Sequence, residues 1–104
     1  MPINNLDLET IKAGLADGSL LIVDVREPHE FAAGRIPGSV CLPLSRFDPA
    51  EIPVEPGRQV VFSCAAGIRS LRAIEIANAA GLAMDSHYLG GFRDWAMRGE
   101  PVER

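Results

Sequence analysis

The stretch Val60-Val61-Phe62-Ser63-Cys64-Ala65-Ala66-Gly67-Ile68-Arg69-Ser70 constrains the fold more than any other part of the chain. Its apolar run is too short for a helix, and a helical pattern begins within five residues of the cysteine. This predicts a buried strand that hands its last residue to a tight loop, and a loop that opens a helix. A second run, Leu20-Leu21-Ile22-Val23, is apolar without alternation. Such a strand is covered on both faces, as in a parallel sheet. Strand and helix patterns alternate along the 104 residues, which predicts one three-layer α/β domain over 1–104, with a mainly parallel central sheet and helices on both faces.

In chain order, Asp7 reads as the N-cap of a first helix, with Leu6 and Ile11 as a hydrophobic staple and Leu8, Ile11 and Leu15 on one face. Asp17-Gly18 ends it. A strand follows over 19–26, then a short helix with Pro28 in its first turn and Gly34 as its stop. Residues 40–43 form a brief strand, and the proline-rich 47–56 stretch holds one helical turn near 46–50. Strand 59–63 precedes the cysteine loop. Helix 68–80 carries a small-residue stripe of Ala73, Ala77 and Ala80, with bulk from Leu71 and Ile74. Strand 86–89, a Gly90-Gly91 turn and helix 92–98 close the domain. Phe31 and Trp95 read as core aromatics, and His29 and His87 as exposed side chains with no role as a base.

A formal net charge of −4, with no cluster of Lys or Arg, argues against a nucleic-acid partner. No apolar run approaches the ~18 residues of a membrane span. The N-terminus lacks a basic start followed by an apolar stretch, so the cytoplasm is the expected location. Nine of the ten basic residues are Arg, the better side chain for planar anions, although genome composition also produces such a bias. Two cysteines, with no Cys-x-x-Cys, and two distant histidines predict neither a disulfide scaffold nor a metal site, and no cofactor is expected.

Cys64 is the candidate nucleophile. A cysteine thiol titrates near 8.5, and a helix N-terminus or a neighbouring Arg lowers that to roughly 3.5–7.5. Here the opening helix aims unpaired N–H groups at the loop, and Arg69 brings a positive charge. Gly67 permits the positive φ of an anion-binding nest, and Ala65 and Ala66 leave the mouth open. Ser70 caps the helix or donates to the sulfur. The competing reading makes Cys64 a small buried hydrophobe at a strand end. For Asp24 and Arg26, at the C-terminal end of their strand where open sheets bind ligands, the plain reading is loop hydrogen bonding and a local ion pair.

Three segments carry a family resemblance. Val23-Asp24-Val25-Arg26-Glu27-Pro28-His29-Glu30-Phe31 with Gly34-Arg35-Ile36-Pro37-Gly38-Ser39 resembles the first signature of rhodanese-like domains. The 64–70 loop resembles their active-site loop, and Gly90-Gly91-Phe92-Arg93-Asp94-Trp95 their closing motif. The resemblance implies a rhodanese fold and a sulfurtransferase. Cys64 would attack the outer sulfur of thiosulfate or a persulfide such as glutathione persulfide. It would then pass that sulfur to cyanide, a thiol or a sulfur-relay protein. The resemblance further implies that the loop residues Ala65, Ala66, Gly67, Ile68 and Ser70 hold the persulfide and that Arg69 binds the donor's anionic part. Asp24, Arg26, Glu30 and Arg35 would brace the loop and its mouth. One departure stands out: Ala65 sits where relatives that use thiosulfate well often carry a basic residue, which favours a persulfide or protein donor.

Two rival functions remain. A cysteine phosphatase or arsenate reductase of related fold needs Cys-x5-Arg, whereas Cys64 and Arg69 are spaced Cys-x4-Arg. A rhodanese-like sulfur carrier or interaction module would show little small-molecule turnover. Cys41 is either a resolving thiol near the mouth or a small half-buried residue.

Overall fold

The apolar run at Leu20 becomes β2 (Leu20–Asp24), in which every residue is buried. It pairs in parallel with β4 (Gln59–Ser63) along its whole length, from Leu20 opposite Gln59 to Asp24 opposite Ser63. The computed structural model, which describes residues 2–104, adds β1 (Asn4–Leu6), β3 (Val40–Cys41) and β5 (Ser86–Tyr88) to these. All pairings are parallel and the strand order is β1-β5-β4-β2-β3.

Period-two alternation splits the inner strands between two cores. Leu21, Val23 and Val25 join Val60, Phe62 and Cys64 against Ala73, Ile74 and Ala77 of α3 (Arg69–Ala79). Leu20, Ile22 and Val61 turn to the other face. There they meet Leu8 and Ile11 of α1 (Leu8–Asp17) and Trp95 of α4 (Gly91–Met97). The expected three-layer α/β arrangement with helices on both faces is thus the observed one. The remaining helix, α2 (Pro28–Ala33), follows the polar C-terminal end of β2, and Glu30 accepts from the Glu27 amide at its first turn. At α1, Asp7 accepts from the Thr10 amide, as its N-cap role requires.

Several local expectations need correction. A short edge strand, β1, precedes α1: Asn4 and Asn5 pair with Ser86 and His87, while Leu6 is buried in the same core as Ile11, as the expected staple requires. Ala80 and Leu71 are exposed, because Ala80 lies past the end of α3 and Leu71 falls off the 70, 73, 74, 77 face. Phe31 is only half-buried, beneath the Arg35 guanidinium. In place of one turn near 46–50 there are two 3-10 turns, Leu44–Arg46 just ahead of the proline-rich stretch and Pro49–Glu51 within it, since Asp48 before Pro49 is held extended. His87 is 0% exposed, not on the surface.

Candidate active site

The site sits at the C-terminal edge of the sheet, where β2 and β4 end side by side. Cys64 follows Ser63 directly, and the chain turns through 65–68 before α3 begins at Arg69. The N-cap residue of α3, Ile68, has an apolar side chain that cannot accept a hydrogen bond. The sulfur fills that role. Sγ of Cys64 accepts from the Gly67 amide at 3.2 Å and the Ser70 amide at 3.4 Å, and lies 3.6 Å from Ser70 Oγ. Gly67 makes this loop closure feasible with φ +79°, and a side chain there would run into the Leu89 carbonyl. Cys64 is 1% exposed: the open mouth expected from small Ala65 and Ala66 is not observed, because the loop amides close on the sulfur, leaving Ala66 and Ile68 exposed.

Burial pushes the Cys64 thiol up. Hydrogen bonds from the Ser70 hydroxyl and the amides of Ser70, Ala66 and Gly67 more than offset it and hold the thiol below its ordinary range. These donors lie against the sulfur itself, and Arg69 interacts with it only at a distance, through charge. The Arg69 guanidinium turns to Glu30 and binds both its oxygens, at 2.7 and 3.0 Å. That pairing is the first cause holding the Glu30 carboxyl down at about 2.

The loop is braced from two sides. The first-turn amides of α4 hold its carbonyls: Phe92 N–H donates to Cys64 O at 2.8 Å and Arg93 N–H to Ala65 O at 3.0 Å. On the other side, buried Arg26 donates to both oxygens of Asp24 at 2.8–3.0 Å, to Gly34 O at 2.7 Å and to Glu30 O at 3.4 Å. Its guanidinium also lies 4.3 Å from the centre of the Phe92 ring. Arg26 therefore ties the end of β2 to α2 and to α4, whose first-turn amides hold the loop carbonyls.

Arg35, expected at the mouth, is elsewhere. It pairs with Glu103 through Nε at 3.2 Å and through reciprocal backbone bonds, so it anchors the C-terminal segment. Cys41 is half-buried, with Sγ 3.7 Å from Arg26 O, and burial followed by the nearby Asp24 raises its thiol pKa. Asp24 stands between Cys41 and Ser63 in the register. Two strand spacings, roughly 10 Å, thus separate Cys41 from the end of β4, beyond the ~7 Å that a disulfide spans. Cys41 is not placed to resolve Cys64. The residue that sequence reasoning missed is His87. Its ring lies 2.8 Å from Ser70 Oγ and 2.6 Å from the Asn5 amide oxygen. The available signal was Ser70 itself, a hydroxyl on the core-facing side of α3 that needs a buried partner.

A fully parallel sheet with helices on both faces, presenting one cysteine in an amide-lined loop at its C-terminal edge, defines the class. The rhodanese-like domain model matches residues 7–98, and the chain belongs to that family. A sulfurtransferase of Allochromatium vinosum is 33% identical over 101 residues, covering 96% of this chain and 94% of that protein. The human thiosulfate:glutathione sulfurtransferase is 31% identical over 104 residues, covering 86% and 90%. An uncharacterized protein of Synechocystis sp., slr1261, is 36% identical over 84 residues; the match spans 81% of this chain but 47% of that longer protein. Among solved structures, a rhodanese-related protein of Thermoplasma volcanium superposes with a TM-score of 0.78 at 27% identity, covering 96% of this chain and 97% of its own. Among the described residues, no helix is long and apolar enough to cross a membrane.

Proposed function

We propose that the protein is a sulfurtransferase that works through a persulfide on Cys64. The Cys64 thiolate attacks the outer sulfur of the donor. An S–S bond forms as the donor's own bond to that sulfur breaks, and sulfite or a thiolate leaves with the electron pair. The terminal sulfur then passes to a thiol, to cyanide or to an acceptor protein, and Cys64 departs as the thiolate. The sulfur's position as hydrogen-bond acceptor at the N-terminus of α3 carries this reading. The same ring of amides supports the outer sulfur as negative charge builds on it. Relatives named as sulfurtransferases support the class of reaction.

The Arg69–Glu30 pair and the neutral Ala65 favour a persulfide or protein-bound donor over the thiosulfate dianion. The exposed apolar side chains of Ile68 and Leu89 beside the loop suit such a partner. The guanidinium's engagement by Glu30, together with the Cys-x4-Arg spacing, speaks against phosphate chemistry. The test is intact-protein mass after donor treatment of the wild type and Cys64→Ser. The wild type gains one sulfur atom that cyanide removes, and the variant gains none. Failure to gain sulfur from thiosulfate or from glutathione persulfide would leave the interaction-module reading instead.

A further inference from the structure

The buried polar chain behind Cys64 has no part in the reaction as described so far. Strand register puts His87 of β5 opposite Asn5 of β1 and Phe62 of β4. Ser70 reaches the same face from α3, and both Ser70 and His87 are 0% exposed. The contacts are continuous: Cys64 Sγ to Ser70 Oγ at 3.6 Å, Ser70 Oγ to His87 Nδ1 at 2.8 Å, and His87 Nε2 to Asn5 Oδ1 at 2.6 Å. An amide oxygen only accepts, so Nε2 carries a hydrogen. In the neutral ring Nδ1 is then bare and accepts the Ser70 hydroxyl, whose lone pairs face the thiol.

We propose that Ser70 and His87, with Asn5 behind them, form a buried relay that takes the Cys64 thiol proton inward and stores it on the imidazole. The proposal rests on Cys64 being the reactive thiol. As the S–H bond breaks, a new O–H bond forms on Ser70; the original Ser70 O–H breaks as Nδ1–H forms. The products are a thiolate facing a hydroxyl donor and an imidazolium whose two N–H groups already have acceptors, Ser70 Oγ and Asn5 Oδ1. No heavy atom must move, and no electron is transferred. His87 acts through Ser70 and is a positioning residue. The groups facing its ring are Asn5 from β1, Ser70 from α3 with Cys64 beyond it, and apolar Phe62 from β4. Among the described residues, none of its hydrogen bonds or ion pairs involves a carboxylate or guanidinium. Burial pushes the His87 pKa down, so the imidazolium is sustained only while the thiolate faces it, and the two titrations are coupled. A purely structural histidine makes the opposite forecast. A permanently neutral ring would hold the Ser70 hydroxyl away from the sulfur, and its removal would free that hydroxyl to stabilise the thiolate.

The test is made in a Cys41→Ser background, with iodoacetamide alkylation of Cys64 followed against pH. His87→Gln keeps an acceptor for Ser70 but cannot bind a proton. It is expected to slow alkylation at pH 7 about tenfold and raise the midpoint by about one pH unit; an unchanged or faster rate overturns the relay. A second readout needs no variant of the relay. In ¹⁵N NMR of the wild type, the His87 ring should be imidazolium at pH values where Cys64 is already thiolate, and in Cys64→Ser it should be neutral at those same pH values. A ring that stays neutral throughout overturns the proposal. Neither measurement involves sulfur transfer, so failure of the relay and failure of the sulfurtransferase reading are separately visible.

Discussion

Glu30 grips Arg69 through both carboxylate oxygens, at 2.7 and 3.0 Å, across the mouth of the cysteine loop. A guanidinium so engaged offers little free charge to a dianion. Glu30→Gln removes the competing carboxylate and should raise kcat/KM for thiosulfate about three- to tenfold, the scale of one partly screened charge contact. Turnover with glutathione persulfide should change less. Ala65→Lys, which adds a cation directly after the nucleophile, should act in the same direction. Steady-state kinetics with the two donors decide it, and a fall in thiosulfate use by Glu30→Gln would show that the carboxylate positions Arg69 instead of occupying it.

The same pair sets part of the acid limb of stability. Glu30 is lowered from 4.5 to about 2, chiefly by its hydrogen bond with Arg69. A carboxyl depressed in the folded state contributes stability that is complete above its unfolded pKa and lost as pH falls through the folded one. The wild type should therefore lose an increment between pH ~4.5 and ~2 that Glu30→Gln never had. In urea titrations, the stability difference between the two proteins should shrink across that window. A constant difference contradicts the assignment.

Asp24 and Arg26 lie two residues apart and are both buried, with the guanidinium spanning β2, α2 and α4. Asp24→Ala strands a buried cation and should cost about 3–5 kcal/mol. Asp24→Asn keeps hydrogen-bond acceptance and should cost less. Denaturant midpoints measure both. A loss under 1 kcal/mol for the alanine variant would mean that solvent reaches Arg26.

Sequence pattern made the sheet's middle and the loop legible for a physical reason. Unbroken apolar runs at Leu20 and Val60 have one stable environment, a strand covered on both faces, and the polar residues after them mark the functional edge. Gly67, Ser70 and the glycines at 90 and 91 were readable for the same kind of reason, since each answers a local backbone need. What escaped depended on contacts distant in sequence. β1 is three residues at a sheet edge, too short to show a period, and its partner lies 82 residues away. Arg35 stands in the first rhodanese signature, yet the C-terminal segment brings Glu103 to it. The pairing of Arg69 with Glu30 was not legible, because Glu30 lies 39 residues away and leaves no trace in spacing. His87 looked like a surface histidine because polarity alone does not reveal which strand face is buried; only its register with Asn5 and Phe62 does.

Cys41 is held apart from Cys64 by the strand that carries Asp24. Cys41→Ser should leave donor turnover within about twofold of wild type, and treatment with persulfide donors should yield no 41–64 disulfide by peptide mapping. Burial and the nearby Asp24 raise the Cys41 thiol, so at neutral pH it should also alkylate more slowly than a free cysteine. A large loss of turnover on substitution would require a rearrangement that brings β3 toward the loop.

Gly91 is where the closing turn meets the nucleophile loop. Its φ of +64° is strained for any other residue, and a Cβ there would lie 2.6 Å from the carbonyl oxygens of both Cys64 and Ala65. Those two carbonyls accept the Phe92 and Arg93 amides, so α4 cannot retreat from the side chain without breaking the bonds that hold the loop. Gly91→Ala should thus cost about 2–3 kcal/mol from backbone strain and the lost contacts. It should also loosen the amide ring and so raise the Cys64 pKa. Gly99 also has a positive φ, at +73°, but a Cβ there has open space; Gly99→Ala should cost about 1 kcal/mol and leave the thiol's titration unchanged. Thermal unfolding paired with the pH dependence of Cys64 alkylation separates these effects. Equal thiol titration in the two variants would mean that α4 supports the fold without shaping the site.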